Sequence, residues 1–262
     1  MTKTIWIIGA SSGIGKATAM ALRAEGHNIV LSARDEEALK AVKSAMLTEK
    51  KQDAHDQDRS ADESILVAPL DVLDEKSIRT AKSHIVDTFG KLDVMIFMAG
   101  IYDPMPLTQY DHKKSLQTLR INLEGAFTVF ECIKEEALDP KKSLHLVWTA
   151  SVAGFRGLPQ ACAYGVSKAG LQHFAEIQRL ELETMNTKVQ VINPGFVKTR
   201  LTDKNEFEMP MRITPEEAGK AICKGLKSNG FEILFPTGFG LFMKCLRMMP
   251  IWLYFKITRN LI

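Results

Sequence analysis

Three residue types capable of acid–base chemistry share one stretch, "SVAGFRGLPQACAYGVSK", in which Ser151 stands thirteen residues before Tyr164 and Lys168 four after it. A tyrosine and a lysine at that spacing, in a run of helix formers, project from one helical face. A free phenol has a pKa of about 10. An ammonium at roughly 4 Å in an effective dielectric near 20 is worth about 4 kcal/mol, or about three pKa units. The pair is therefore expected to bring Tyr164 within reach of proton exchange near neutral pH. With the Ser151 hydroxyl bonded to the same oxygen, the set would polarise a carbonyl while a hydride reaches its carbon. Each residue has a bland alternative: a core tyrosine, a solvated lysine, a capping serine.

A second constellation supplies the hydride carrier. In "IIGASSGIGKATAMAL", Gly9, Gly13 and Gly15, with Ser11, Ser12 and Ile14 between them, join a strand-like run to a helix-like one. Glycines there permit a tight turn and close backbone approach, and the free N–H groups of the helix start attract a pyrophosphate. The next strand-like run ends "LSARDEE". Ala33 stands where a carboxylate would accept the ribose hydroxyls of NAD, and Arg34 beside it can pair with a 2′-phosphate, so NADP(H) is expected over NAD(H). The bland reading of Arg34 is a surface arginine, with Asp35 and Glu36 nearby to neutralise it. In "LDV", Asp71 reads as an acceptor for the adenine amino group and Val72 as packing on the ring; an ordinary acidic loop residue is the alternative.

These groups must be positioned by regular elements, and the pattern provides them. "TIWIIG", "NIVLSA", "SILVAPLDV", "LDVMIFMAG", "SLHLVWTAS" and "KVQVINPG" are near-continuous apolar runs, as in a parallel sheet covered on both faces. Helical patterns lie between them at about 13–25, 36–46, 75–89, 108–137 and 161–183. The βα alternation predicts an α/β class, a single doubly wound Rossmann-type domain over 1–237, with its ligand at the carboxyl ends of the strands. A hydrophobic C-terminal extension follows over 238–262. The charged run Thr48 to Glu63, "TEKKQDAHDQDRSADE", has no apolar period and reads as a solvated loop or helix extension.

The length of 262 residues, with 45% apolar and 25% charged, suits one large core. A net charge of only +3, spread along the chain, gives no footprint for nucleic acid. Cys132, Cys162, Cys223 and Cys245 lack metal-ligand spacing, and the first strand-like run starts at Thr4, so free thiols, a cytoplasmic setting and no metal are expected. The six histidines show no ligand spacing either.

Over residues 3–235 the chain resembles the classical short-chain dehydrogenase/reductase family. The resemblance rests on "GASSGIG" at Gly9 to Gly15, "AG" at Ala99 and Gly100, Asn122 in "RINLEG", Ser151, "YGVSK" at Tyr164 to Lys168, and "NPGFVKT" at Asn193 to Thr199. It implies further roles. Asn122 would hold a proton-relay water, Lys168 would also bind the nicotinamide ribose, and Ile14 would meet the cofactor. Pro194, Gly195, Val197 and Thr199 would line the nicotinamide pocket. A homodimer or homotetramer built on the long helices is implied as well. Two sites depart from the family pattern: Ile8 replaces the usual threonine, and Phe97 and Met98 replace paired asparagines.

The expected activity is NADP(H)-dependent reduction of a carbonyl or oxidation of a secondary alcohol. A non-catalytic nucleotide sensor on the same fold is the alternative. Leu201, Phe207, Met209, Pro210 and Met211 suggest an apolar lid and hence a hydrophobic ketone. After Glu232 the chain has no acidic residue, and its tail carries Lys244, Arg247, Lys256 and Arg259 among large apolar side chains. Two readings stay open for 239–262: Leu241, Phe242, Cys245, Met249, Ile251, Trp252, Phe255 and Ile262 contact a membrane peripherally, or the segment packs over the cleft or against another subunit.

Overall fold

Apolar runs without alternation cannot sit at a surface, and in the computed structural model, which describes residues 1–50, 62–204, 209 and 211–259, they form the middle layer of three. Seven parallel strands run β1 (Thr4–Ile8), β2 (Asn28–Ser32), β3 (Ile65–Val67), β4 (Val94–Phe97), β5 (Leu144–Thr149), β6 (Thr187–Pro194) and β7 (Glu232–Phe235). Their spatial order is β3-β2-β1-β4-β5-β6-β7, which reverses between β1 and β4 and opens a crevice at the carboxyl ends of those strands. β1, β4 and β5 are buried along their whole length.

One sheet face is covered by α3 (Glu75–Phe89), α5 (Gly125–Leu138) and α6 (Cys162–Glu181), whose Ile78, Ile85, Val129, Ile133 and Leu171 pack on Trp6, Phe97 and Trp148. The other is covered by α1 (Gly13–Ala24), α2 (Glu36–Lys50) and α7 (Pro215–Leu226), whose Leu22, Leu39, Val42 and Ile222 pack on Ile5, Ile7 and Leu31. Local sequence sets the helix starts. Asp74 accepts from the Lys76 N–H to open α3, and Thr214 with Glu217 forms a capping box, Pro215 occupying the first turn, to open α7.

The expected helix over 108–137 is in fact three pieces. After a 3₁₀ turn at Leu107–Gln109 come α4 (His112–Leu119), a π-helical turn at Arg120–Glu124, and α5. The extra residue of the π turn carries Asn122, whose side chain is tied at both ends to the Ile101 backbone. Apolar periodicity cannot reveal a one-residue insertion held by such bonds. The third strand is also shorter than its apolar run: it ends at Val67, and Asp71 and Val72 lie in the loop beyond, where the Asp71 carboxylate accepts the Leu73 N–H. α2 continues past Met46 to Lys50, and most of the charged run falls on 51–61, outside the described residues.

The two departures from the family pattern are filled by packing. Ile8 and Phe97 are fully buried and paired across β1 and β4, Phe97 lies 5.7 Å from the Trp148 ring, and the Met98 N–H donates to the Ile8 carbonyl at 2.7 Å. Apolar contact on the sheet thus holds the strand end that leads to Ala99 and Gly100. Phe97→Ala should lower the unfolding free energy by about 3–5 kcal/mol in equilibrium urea unfolding; a loss under about 1 kcal/mol, the scale of a tolerated swap, would show that the strand end is held by other contacts.

Candidate active site

The crevice holds a cavity of about 600 Å³ lined by Gly9, Ser11, Ala33, Arg34, Asp71, Val72, Ala99 and Gly100, all but Ala33 named from the sequence as cofactor contacts. Its floor is the β1–α1 turn. Gly9 adopts φ +101°, and a Cβ there would lie 2.6 Å from the Ala99 nitrogen; a Cβ on Gly15 would lie 2.1 Å from the Gly9 carbonyl oxygen. Only glycine permits either approach. Gly13 adopts φ +55° with the Thr199 methyl 3.3 Å from where its Cβ would stand, so the "NPGFVKT" segment meets the start of α1. Ser12, the α1 N-cap, makes no side-chain capping bond, and the first turn holds no acid. A helix start with uncapped N–H groups, a glycine floor and no opposing carboxylate fits the pyrophosphate of a dinucleotide.

At the adenosine end the acids near Arg34 are already engaged. Asp35 accepts the Ala38 N–H at 3.0 Å, and Glu36 and Glu37 both pair with Lys40, at 3.0 and 2.9 Å. Arg34 is exposed and has no ion-pair partner among the described residues. Val72 packs against α5, its Cγ2 only 2.7 Å from the position a Cβ on Gly125 would take. Lys113 and Arg120, which the sequence reading missed, also line this end. Only the topology brings α4 and the π turn opposite β2, so no local motif announces them.

At the other end the four groups with acid–base chemistry come together. Ser151 caps the 3₁₀ turn Val152–Gly154 just beyond β5, accepting the Ala153 N–H at 3.1 Å and donating to the Pro194 carbonyl at 3.4 Å. Tyr164 and Lys168 lie on the first turns of α6, with the amine 5.6 Å from the phenol ring centroid. The Lys168 ammonium, only 5% exposed, donates to the Thr149 carbonyl at 2.8 Å. A Cβ on Gly100 would lie 3.3 Å from Asn122 Oδ1 and 3.5 Å from Lys168 Nζ, so the "AG" segment leaves room where those two meet. Pro194 ends β6 beside Ser151 and Gly195 follows it, while Val197 is buried and bridged to Ile213. Ile14 packs against the face covered by α1.

The electrostatics differ from the expectation in one respect. Burial pushes the Tyr164 phenol up to about 12, with the Ser151 hydroxyl bonded to it pulling the other way and Tyr102 adding to the rise. Burial also lowers Lys168 to about 8. The lowering by the ammonium anticipated from the four-residue spacing is not among the causes of the shift, and desolvation leads them, because the spacing reveals proximity and not how dry the site is. Tyr102, whose ring centroid is 4.8 Å from that of Tyr164, was also missed. Of the apolar lid residues, Leu201 and Met211 are exposed; Phe207 and Pro210 lie outside the described residues. No group of three or more His, Cys, Asp or Glu among the described residues is placed to hold a metal ion.

A family model described as short chain dehydrogenase matches residues 3–209. An uncharacterized oxidoreductase of Myxococcus xanthus is 27% identical over 259 residues, covering 99% of this chain and 97% of its own. A short-chain dehydrogenase/reductase of Burkholderia phymatum in complex with NAD superposes with a TM-score of 0.79 at 19% identity, covering 93% of this chain and 92% of that one. An actinorhodin polyketide ketoreductase with NADPH superposes at 0.75 and 21% identity, covering 91% and 97%.

The buried amine gives a pH signature. Lys168 ionises near 10.5 in the unfolded chain and near 8 in the fold, so between those pH values the unfolded chain holds the extra proton and stability rises with pH. Urea unfolding at a series of pH values should show wild-type stability climbing relative to Lys168→Met from about pH 8 to 10.5, whereas a flat difference would return the amine to its ordinary pKa.

Proposed function

Because the chain belongs to the short-chain dehydrogenase family, oxidoreductases on a dinucleotide-binding fold, we propose that it is an NADP(H)-dependent enzyme interconverting a hydrophobic ketone and its secondary alcohol. The observation that carries the reading is the meeting of Ser151, Tyr164, Lys168 and Asn122 at one end of a crevice whose other end presents Arg34 with its neighbouring acids engaged.

The residues present fit the cofactor. Gly9, Ser11, Ser12, Gly13, Ile14 and Gly15 would hold the pyrophosphate, Arg34 the 2′-phosphate, Asp71 and Val72 the adenine, and Ala99 and Gly100 the central ribose region. Lys168 supports ribose binding: an ammonium has three donors, and among the described residues a single acceptor, Thr149, is bonded to it. Pro194, Gly195, Val197 and Thr199 would line the nicotinamide end. When bound, the nicotinamide supplies or accepts a hydride at the carbinol carbon.

In the reductive direction, Ser151 would hold the carbonyl oxygen and Tyr164 would give that oxygen its proton as the hydride reaches the carbon, so that carbonyl, hydride and proton become the alcohol. A phenol held near 12 stays protonated at neutral pH, the form a proton donor needs. The Lys168 ammonium then stabilises the phenolate left behind, and Asn122, beside it, would hold the water through which the phenol is reprotonated. Reduction is favoured because cells keep NADPH largely reduced. The apolar surroundings of Ser151 support a hydrophobic substrate: Val152 and Phe155 pack with Phe239, Met243 and Leu246, and Leu158, Phe196 and Met249 join them.

Exposed Phe127 on α5 and Val166, Ile177 and Leu180 on α6 support assembly as a homodimer or homotetramer through those helices. All four cysteines are free, which supports a reducing, cytoplasmic setting.

Titrating NADPH and NADH side by side, and following NADPH oxidation with short- and long-chain ketones, tests the reading. NADPH should bind more tightly and be oxidised faster with the longer ketones. Arg34→Ala should weaken NADPH binding by about tenfold or more, the scale of a charge-assisted contact, and leave NADH unchanged; an equal effect on both cofactors would remove Arg34 from the 2′-phosphate.

A further inference from the structure

The C-terminal residues form two helices, α8 (Thr237–Met248) and α9 (Ile251–Thr258), fixed to the segment that carries Ser151. Phe239, Met243 and Leu246 of α8 pack on Val152 and Phe155. Arg156 donates to the Leu246 carbonyl at 3.3 Å and to that of Met249, and its guanidinium stacks 4.9 Å from the centroid of the Tyr254 ring, whose hydroxyl donates to the Gly157 carbonyl. One side of the pair is thus the back wall of the active-site cleft. The inner face thus packs on the segment that follows Ser151.

Among the described residues nothing covers the outer face. On α8, Leu241, Phe242, Cys245 and Met248 are exposed; at 100° per residue Leu241, Cys245 and Met248 lie away from the three anchors, while Phe242 flanks them with its ring centroid 6.4 Å from that of Phe239. On α9, Ile251, Trp252, Phe255 and Ile257 are exposed. The cations of this face are Lys256 and Arg259, both exposed, while the Arg247 guanidinium lies over the Phe155 ring, 5.7 Å from its centroid; no acidic side chain follows Glu232, which pairs with Lys244. An isologous contact with a second copy would gather the cations of both copies in one interface with no acid from these helices to neutralise them. An anionic lipid surface neutralises them while taking up the aromatic and aliphatic side chains. No helix among the described residues is long and apolar enough to cross a membrane, so the contact would be peripheral.

We propose that α8 and α9 dock the protein on an anionic membrane surface, with the active-site cleft on the opposite side of the same helices. This inference stands on the two helices and does not depend on the cofactor assignment.

The chain carries its own reporter. Trp6 and Trp148 are fully buried, whereas Trp252 is 66% exposed, so a change of solvent around tryptophan reports on α9. Full-length protein is mixed with vesicles of phosphatidylcholine, with and without phosphatidylserine, and followed by tryptophan emission, acrylamide quenching and flotation. With phosphatidylserine, emission should shift to the blue, quenching should fall and the protein should float. Lys256→Ala should lower partitioning by about fivefold, the share of one cation near an anionic surface, and Phe255→Glu should abolish flotation while nucleotide binding persists. Failure to float on phosphatidylserine vesicles, or equal partitioning with and without that lipid, would overturn the proposal. So would a lipid-free blue shift that grows with protein concentration alongside a doubling of mass, which would assign the face to a second copy.

Discussion

A lysine ammonium taken out of water must find oxygen acceptors or lose its charge, and the geometry around Lys168 is organised by that requirement. The carbonyl at the end of β5 accepts one of its hydrogens. The amine also sits close to Asn122 and to the place where Gly100 lacks a side chain. Asn122 reaches this position because the chain between α4 and α5 winds as a π turn and because the asparagine amide grips the Ile101 backbone. The ends of β4 and β5, the π turn and the start of α6 are therefore mutually fixed. The phenol of Tyr164 and the hydroxyl of Ser151 take their places from the same elements.

The sheet order makes this arrangement reachable. Reversal between β1 and β4 leaves the β1–α1 turn, the loop after β3 and the end of β4 facing one crevice. The glycine contacts at Gly9 and Gly15 allow the backbone to form its floor. Beyond β5 and β6, the aromatic cluster of Phe155, Phe196 and Phe239 links the Ser151 segment to the C-terminal helices, so the apolar tail forms part of the wall behind the catalytic groups.

Much of this was legible in the sequence because it is local. Glycine spacing between a strand and a helix, a tyrosine and a lysine four apart, and near-continuous apolar strands each report on neighbours along the chain. The π turn at Arg120–Glu124 was not legible, since a buried asparagine bonded to a distant loop leaves the apolar period unchanged. Nor were Tyr102, Lys113 and Arg120, which reach the site only through tertiary placement. The pKa direction of Tyr164 failed for a related reason: proximity of charge is written in spacing, while exclusion of water is a property of the assembled cleft. At Phe97 and Met98 the family's asparagines are replaced by aromatic and aliphatic packing on the central strands, a substitution whose compensation appears only with Trp148 alongside.

The central claim is that the Tyr164 phenol supplies the proton when a carbonyl is reduced in this crevice. Its most direct test is deuteride transfer from 4-deuterated NADPH to a long-chain ketone, read by mass spectrometry in wild type and in Tyr164→Phe. The account predicts one deuterium on the carbinol carbon with wild type, and with the variant a loss of about a hundredfold or more, the share of a positioned proton donor, at unchanged cofactor affinity. Transfer by Tyr164→Phe at the wild-type rate would contradict it.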